Sequence, residues 1–395
     1  MTTPEIQALN DQCLINLFGT RRLALDRGEG ARVWDVEGRE YLDFFAGIAV
    51  VNLGHSHPAV SEAICAQSKK LLHTSNLYYI APQVKLAARL CELCFADRWF
   101  FCNSGAEATE TAIKITRRYW HQKGTPKPAI VTAKQSFHGR TLAAVTATGQ
   151  PKYHEGFGPA PSGFKYVDYD NVAQLEEAIT PDVGAVFLEP IQGEGGVRIP
   201  SEGYFKAVRA LCTRKNVLLI LDEVQTGLGR TGTLFAHQQL GFTPDIMTLA
   251  KGLGNGVPIG AMGCTEQVAS GFSVGSHAST FGGNPLCTTA ALATLSELTK
   301  PGFIEYAAAN GEYFAERIRA VASKHPAYVE VRARGMMLGL ELNKPIGPLI
   351  NLMIDNGVIC GPAGPNVLRF LPPLIVTREQ VDRAVAALAA SLGAF

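Results

Sequence analysis

A chain of 395 residues is longer than one ordinary hydrophobic core supports, so two domains are expected, and a hydrophobic content of 47% excludes a disordered chain. The formal net charge of +1, with Lys and Arg scattered, gives no electrostatic footprint for nucleic acid or an anionic membrane. No apolar run approaches the roughly 20 residues of a membrane span, and residues 1–10 lack a basic-then-apolar leader pattern, so a cytoplasmic location is expected.

Residues 26–45 alternate turn signals with short apolar runs and predict a small meander of strands. His55 and His57 precede Pro58; with no Glu-x-x-His or cysteine cluster beside them, they are expected in a loop and helix start rather than on a metal. Helical patterns follow over 58–72 and 81–95. The second contains Cys91 and Cys94, two of nine dispersed cysteines; no second pair stands at zinc spacing, so reduced core thiols and no metal are expected.

Residues 99–102 read as a short strand ending in Asn103-Ser104-Gly105-Ala106-Glu107, with Ala108, Ala112, Ile115 and Tyr119 then at helical spacing. A strand feeding a small-residue turn into a helix leaves free amides at the positive end of the helix dipole. An ordinary serine cap with an acid in the first turn fits equally well. The strand at 129–133 leads to Ser136-Phe137-His138-Gly139-Arg140-Thr141, where an aromatic, a histidine and an arginine suit ring stacking and carboxylate binding. Residues 148–163 read as irregular loop. A buried strand at 185–188 ends in Glu189-Pro190-Ile191-Gln192-Gly193-Glu194, and helix 202–215 leads into the most informative stretch.

Val217-Leu218-Leu219-Ile220-Leu221 reads as a strand buried on both faces, yet it ends in Asp222-Glu223. A second short strand, 246–250, ends in Lys251 and a glycine-rich turn. In open α/β sheets ligands sit beyond the carboxyl ends of the strands. An acid and a lysine delivered there could be a structural ion pair. They also match a Schiff-base lysine with an acid for a pyridinium nitrogen, the protein side of pyridoxal phosphate chemistry. The G-x-G-x-x-G at 227–232 does not follow its strand directly, which argues against a dinucleotide site. His277-Ala278-Ser279-Thr280-Phe281-Gly282-Gly283-Asn284-Pro285 forms another hydroxyl-rich turn before helix 286–298. From about 300 the pattern becomes helix 311–323, strands over 329–341, helix 349–356, the run Val367-Leu368-Arg369-Phe370-Leu371-Pro372-Pro373, and a last helix from 378.

Six of these motifs, in this order, resemble the class III, fold-type I pyridoxal-phosphate aminotransferases over essentially the whole chain: 103–108, 136–141, 189–194, 221–227, 249–251 and 279–285. The resemblance implies an α/β fold, with a large domain at 51–298 on a mostly parallel sheet. It implies a smaller α/β domain built from 1–50 and 299–395. Lys251 would hold the cofactor aldehyde, and Asp222 the ring nitrogen. Gln225, with Glu223 and Val224 beside it, would line the ring. Ser104, Gly105 and Ala106 would cradle the phosphate, and Phe137 would stack. Thr280 would reach the phosphate of a partner subunit, making the protein a homodimer. Arg140, Ser279, Glu194 and Arg369 would handle substrate. The implied reaction is ping-pong transfer of the distal amine of N-acetylornithine to 2-oxoglutarate, giving glutamate. Succinylornithine, N-succinyl-diaminopimelate, ornithine and 4-aminobutyrate are the alternative donors. A non-catalytic protein that only binds the cofactor is the alternative of another class.

Overall fold

A computed structural model describes residues 1–395. Seven strands form the central sheet, in the spatial order Arg98–Cys102, Gly260–Cys264, Ile246–Leu249, Leu218–Asp222, Val183–Leu188, Ala129–Ala133 and Phe164–Val167. Gly260–Cys264 runs antiparallel to both neighbours; the others pair in parallel. Every residue of Ala129–Ala133, Val183–Leu188, Leu218–Asp222, Ile246–Leu249 and Gly260–Cys264 is buried. Continuous apolar runs are what a sheet covered on both faces requires. Because Gly260–Cys264 reverses direction between two like-oriented neighbours, six strands end on one edge of the sheet. Asn103, Ser136, Glu189 and Lys251 follow those ends, and Asp222 is the last residue of its strand.

Two smaller sheets complete the fold. The N-terminal meander Leu25–Glu29, Arg32–Asp35 and Glu40–Asp43 is antiparallel, and Val358–Ile359 adds to it in parallel, with Val358 opposite Leu42. The segment near the chain start thus shares a sheet with one near its end. Tyr328–Arg334, Met337–Leu342, Val367–Phe370 and Gly361–Pro362 form the other sheet. Phe314 of helix Phe303–Ala322 joins the two sheets edge-on, 5.3 Å from both Phe44 and Phe370. No helix is long and apolar enough to cross a membrane.

Several elements depart from expectation. Helix Phe303–Ala322 begins eight residues before Gly311 rather than at it, because the glycine is a packing site: a Cβ there would overlap the Gly335 backbone. Helix Pro58–Ser68 stops short of 72. Helices Thr3–Cys13, Leu142–Ala147 and Val172–Ala178 and the strand Phe164–Val167 carry no clear periodic signal. Thr3–Cys13 buries no residue at all. Cys94 donates to the Leu90 carbonyl at 3.3 Å on a half-buried helix end, and no group of three His, Cys, Asp or Glu side chains is arranged to hold a metal. The 227–232 glycine segment is a series of turns around a fully buried arginine. Arg230 donates to the Met336 and Pro372 carbonyls at 2.9 and 2.6 Å and to Asn52 Oδ1 at 2.7 Å.

The segment Ala46–Ala49 lies wholly in the left-handed region, with φ of 49°, 63°, 68° and 60°. Three of the four carry a Cβ, and each such residue costs about 1–2 kcal/mol in that conformation.

Candidate active site

The sheet edge opens on a cavity of about 400 Å³ bordered by Ser104, Phe137, Arg140, Asp222, Gln225 and Lys251. Asp222 is buried and fully engaged. Its Oδ2 lies 2.8 Å from His138 Nδ1, and its Oδ1 accepts from Val224 N at 3.0 Å and Thr248 Oγ1 at 3.3 Å. Val224 itself lines the cavity. The His138 ring stacks on Phe187 with centroids 4.1 Å apart, while its buried Nε2 has no partner. With three donors on one carboxylate, the negative charge is held in place without a compensating lysine. Lys251 makes no ion pair, so Lys251–Asp222 is not a structural salt bridge. Burial lowers the Lys251 ammonium below its ordinary value, although the carboxylates of Glu194, Asp222 and Glu189 act in the opposite sense. Its backbone φ of 44° is a further departure from unstrained geometry.

Ser104 caps helix Gly105–Gln122, its Oγ accepting from Glu107 N at 3.2 Å. The remaining first-turn amides, which no intrahelical carbonyl can satisfy, border the cavity. A side chain at Gly105 would come within 2.9 Å of Val224, so that turn stays bare. Phe137 is half-buried on the opposite wall, and its N–H donates to Glu189 Oε2 at 3.1 Å. Arg140 is exposed and unpaired, its guanidinium 5.3 Å from the Phe137 ring and 4.0 Å from the Tyr153 ring.

Behind the lining residue Glu194, Arg369, 1% exposed, pairs with it at 2.6 Å. Gln225 bridges the pair: its Oε1 accepts from Arg369 Nη1 at 3.1 Å and its Nε2 donates to Glu194 at 3.3 Å. Burial pushes the Glu194 carboxyl up, but Arg369, with help from Lys251, outweighs it and leaves Glu194 below its ordinary value.

The expected residues do not all converge. Glu223 points away from the cavity. Its carboxylate accepts from Ala236 N at 2.5 Å and from His237 N and Nδ1 at 2.9 and 2.8 Å. Side chains alternate across an extended backbone, so the neighbour of Asp222 faces the other side. Ser279 and Thr280 line an adjoining cleft with His277 and Phe281, which shares Asn103 with the Lys251 cavity. Ser279 Oγ is occupied by Gly282 N at 2.9 Å, and Thr280 is exposed. Two residues given no role of their own by the family resemblance belong to the site. His138 holds Asp222. Glu189, buried, accepts from Phe137 N and from Gly193 N at 3.4 Å. Burial and then the charge of Asp222 hold its carboxyl well above the usual range. Glu189 had a sequence signal, an acid closing a buried strand in the manner of Asp222.

An amine with a depressed pKa, a carboxylate fixed by three donors, an aromatic wall and a bare helix start together suit pyridoxal phosphate. The class-III aminotransferase family matches residues 19–392, and the chain belongs to it; it is a pyridoxal-phosphate-dependent aminotransferase. Among its relatives, an acetylornithine aminotransferase from Caldanaerobacter subterraneus is 50% identical over 374 residues, which is 94% of this chain and 95% of that one. The crystal structure of N-acetylornithine aminotransferase from Stenotrophomonas maltophilia is 40% identical, with a TM-score of 0.85 and 98% of each chain covered. That of the ornithine aminotransferase from Toxoplasma gondii is 36% identical, with a TM-score of 0.97, covering 100% of this chain and 96% of that one.

Proposed function

We propose that this chain moves the distal amine of N-acetylornithine to 2-oxoglutarate, giving N-acetylglutamate semialdehyde and glutamate in two ping-pong halves, as a step of arginine biosynthesis. The observation that carries the reading is the pairing of buried Arg369 with Glu194, which lines the Lys251 cavity, while Arg140 on the same cavity is exposed and unpaired. Glutamate brings a carboxylate next to its reacting amine; N-acetylornithine does not. A site for both needs a cation that is neutralised internally for one donor and freed for the other. Glu194 closes on Arg369 when N-acetylornithine is bound and withdraws for the glutamate carboxylate. Arg140 takes the far carboxylate of each.

When bound, pyridoxal phosphate supplies an aldehyde that takes up amines and a ring that accepts electrons from the substrate carbon. Asp222 would keep a proton on the ring nitrogen, because an adjacent, desolvated negative charge favours the protonated form. His138 keeps Asp222 facing inward. Lys251 would hold the aldehyde, and its Nζ would carry a proton from the substrate carbon, a task to which its lowered pKa suits it. Ser104, Gly105 and Ala106 would bind the phosphate, Phe137 and Val224 would flank the ring, and Gln225 would contact its phenolic oxygen. Thr280 serves the phosphate of a second subunit, so the working unit is a homodimer. Its place in a separate cleft of the same chain, together with the exposed Leu77, Tyr78 and Phe281, supports that reading. The chain divides into a large unit at 51–298 and a smaller one from 1–50 and 299–395, in the cytoplasm.

Initial rates with 2-oxoglutarate and a panel of donors test the assignment: N-acetylornithine, succinylornithine, N-succinyl-diaminopimelate, ornithine and 4-aminobutyrate. N-acetylornithine should give the highest kcat/KM, and a clear lead for any other donor replaces it.

A further inference from the structure

The left-handed segment Ala46–Ala49 is stressed, and stress of this kind survives only where the surroundings hold it. Asp43 supplies much of the hold. Its Oδ1 accepts from the N–H groups of Phe45 and Ala46 at 2.9 and 2.8 Å, and its Oδ2 meets His55 Nε2 at 2.7 Å. His55 is anchored in turn by paired backbone hydrogen bonds with Gly30 of 3.0 and 2.8 Å. Gly28 leaves room for the imidazole, since a Cβ there would lie 2.7 Å from the His55 side chain.

Both ends of this turn reach the site. Val50, just after it, lines the Lys251 cavity. Phe45, just before it, lays its ring 5.3 Å from the Arg369 guanidinium carbon. The ring occupies space that only a glycine at 361 leaves open, and Gly361 stands opposite Arg369 in the strand register. Arg369 Nε has no hydrogen-bond partner. Once Glu194 withdraws, Gln225 and the Phe45 ring are the contacts left to orient the guanidinium.

We propose that Asp43 and His55 are positioning residues for Arg369. They hold the left-handed turn, the turn seats Phe45, and Phe45 fixes the plane in which Arg369 receives the carboxylate beside the reacting amine. The inference rests on the reading that glutamate uses this arginine and N-acetylornithine does not.

Single-turnover reactions of the holoenzyme with each donor alone test it. His55→Ala removes the partner of Asp43 Oδ2, so the carboxylate can turn away from the Phe45 and Ala46 amides and the turn can relax. The glutamate concentration for half-maximal rate should rise about tenfold, the scale of a desolvated cation–π contact, with the limiting rate and the N-acetylornithine half little changed. His55→Gln keeps a donor toward Asp43 and should behave as the parent. Adding Ile48→Asn to His55→Ala should bring glutamate back toward normal, because asparagine enters the left-handed region more readily than a β-branched residue. Amide exchange over residues 45–51 gives a readout independent of turnover: faster in His55→Ala, slower again in the double variant. Equal losses with both donors, or unchanged glutamate dependence with unchanged exchange, would overturn the proposal. Should His55→Ala not fold, Phe45→Leu keeps apolar packing without the ring face. It must then weaken glutamate more than N-acetylornithine, and equal effects overturn the proposal there too. Bleaching of the unmutated enzyme by glutamate tests the amine-transfer reading separately.

Discussion

Replacing Glu194 by alanine should act in opposite directions on the two halves of the reaction. Arg369 is 1% exposed and loses its only carboxylate. Removing the Glu194 side chain, which lines the cavity, opens a way for water to the guanidinium in the free variant; bound N-acetylornithine displaces that water and offers no replacement anion. Removing one partner of a buried pair costs about 3–5 kcal/mol. Here the Glu194 side chain is 25% exposed, and Gln225 at 3.1 Å and the Phe45 ring remain on Arg369. A discounted value of about 2–3 kcal/mol is appropriate, which corresponds to a loss of roughly 30–150-fold. Glutamate carries its own carboxylate to Arg369 and no longer has to displace Glu194, so its half should be unchanged or faster. Unblocked ornithine should react more often through its α-amine. The assay is rapid mixing of holoenzyme with one donor at a time, following loss of the cofactor's visible band. Equal slowing of both halves would refute the reasoning and leave Glu194 as a structural acid.

Lys251→Ala should still bind pyridoxal phosphate by its phosphate and ring contacts but lose the lysine-dependent absorbance band, with turnover down by orders of magnitude; near-normal turnover would mean another group does the work. Asp222→Asn, matched in shape, should weaken cofactor binding modestly and kcat far more, measured by equilibrium dialysis alongside steady-state kinetics, because its charge acts on the electron-rich transition state. Thr280→Ala should raise the cofactor dissociation constant while sedimentation still reports a dimer; a stable, active monomer of the unmutated chain would contradict the partner role. Glu194 has a depressed folded-state pKa, so its contribution to stability is present above the ordinary carboxylate value of about 4.3 and is lost as pH falls through the lowered folded value. Denaturant titrations across that acid window should show a shallower loss of stability in Glu194→Gln than in the parent.

The central sheet was legible because its strands are covered on both faces. Runs such as 217–221 and 246–250 have no reading as exposed segments, and acids or a lysine at their ends stand out against that background. The strand Phe164–Val167 was not legible: it is an edge strand with one fully buried residue, so neither alternation nor a continuous apolar run marks it. Thr3–Cys13 lacks a buried face and therefore a period. At the site, motif order brought out Lys251, Asp222 and Phe137, but direction is a property of the folded backbone. Nothing local distinguishes Asp222, which faces the cavity, from Glu223, which faces His237. The left-handed turn at 46–49 was hidden for a stronger reason: Ala, Ile and Ala are poor signals for that conformation, and the contacts around it come from Asp43, which His55 meets, and from the space Gly361 leaves for Phe45, far along the chain.

Arg230 has consequences for how the chain comes together. Its partners are Asn52, Met336 and Pro372, at sequence separations of 178, 106 and 142 residues. During synthesis from the amino terminus, Arg230 emerges when Asn52 is present but its two carbonyl acceptors are not. Until Pro372 leaves the ribosome, the turns at 227–232 carry a cation that lacks one of its buried acceptors. The central sheet can form early, yet the region around Arg230 can close only when nearly the whole chain exists. Order of appearance and order of consolidation are therefore uncoupled, and the late-arriving C-terminal segments act as the lock on a half-built molecule.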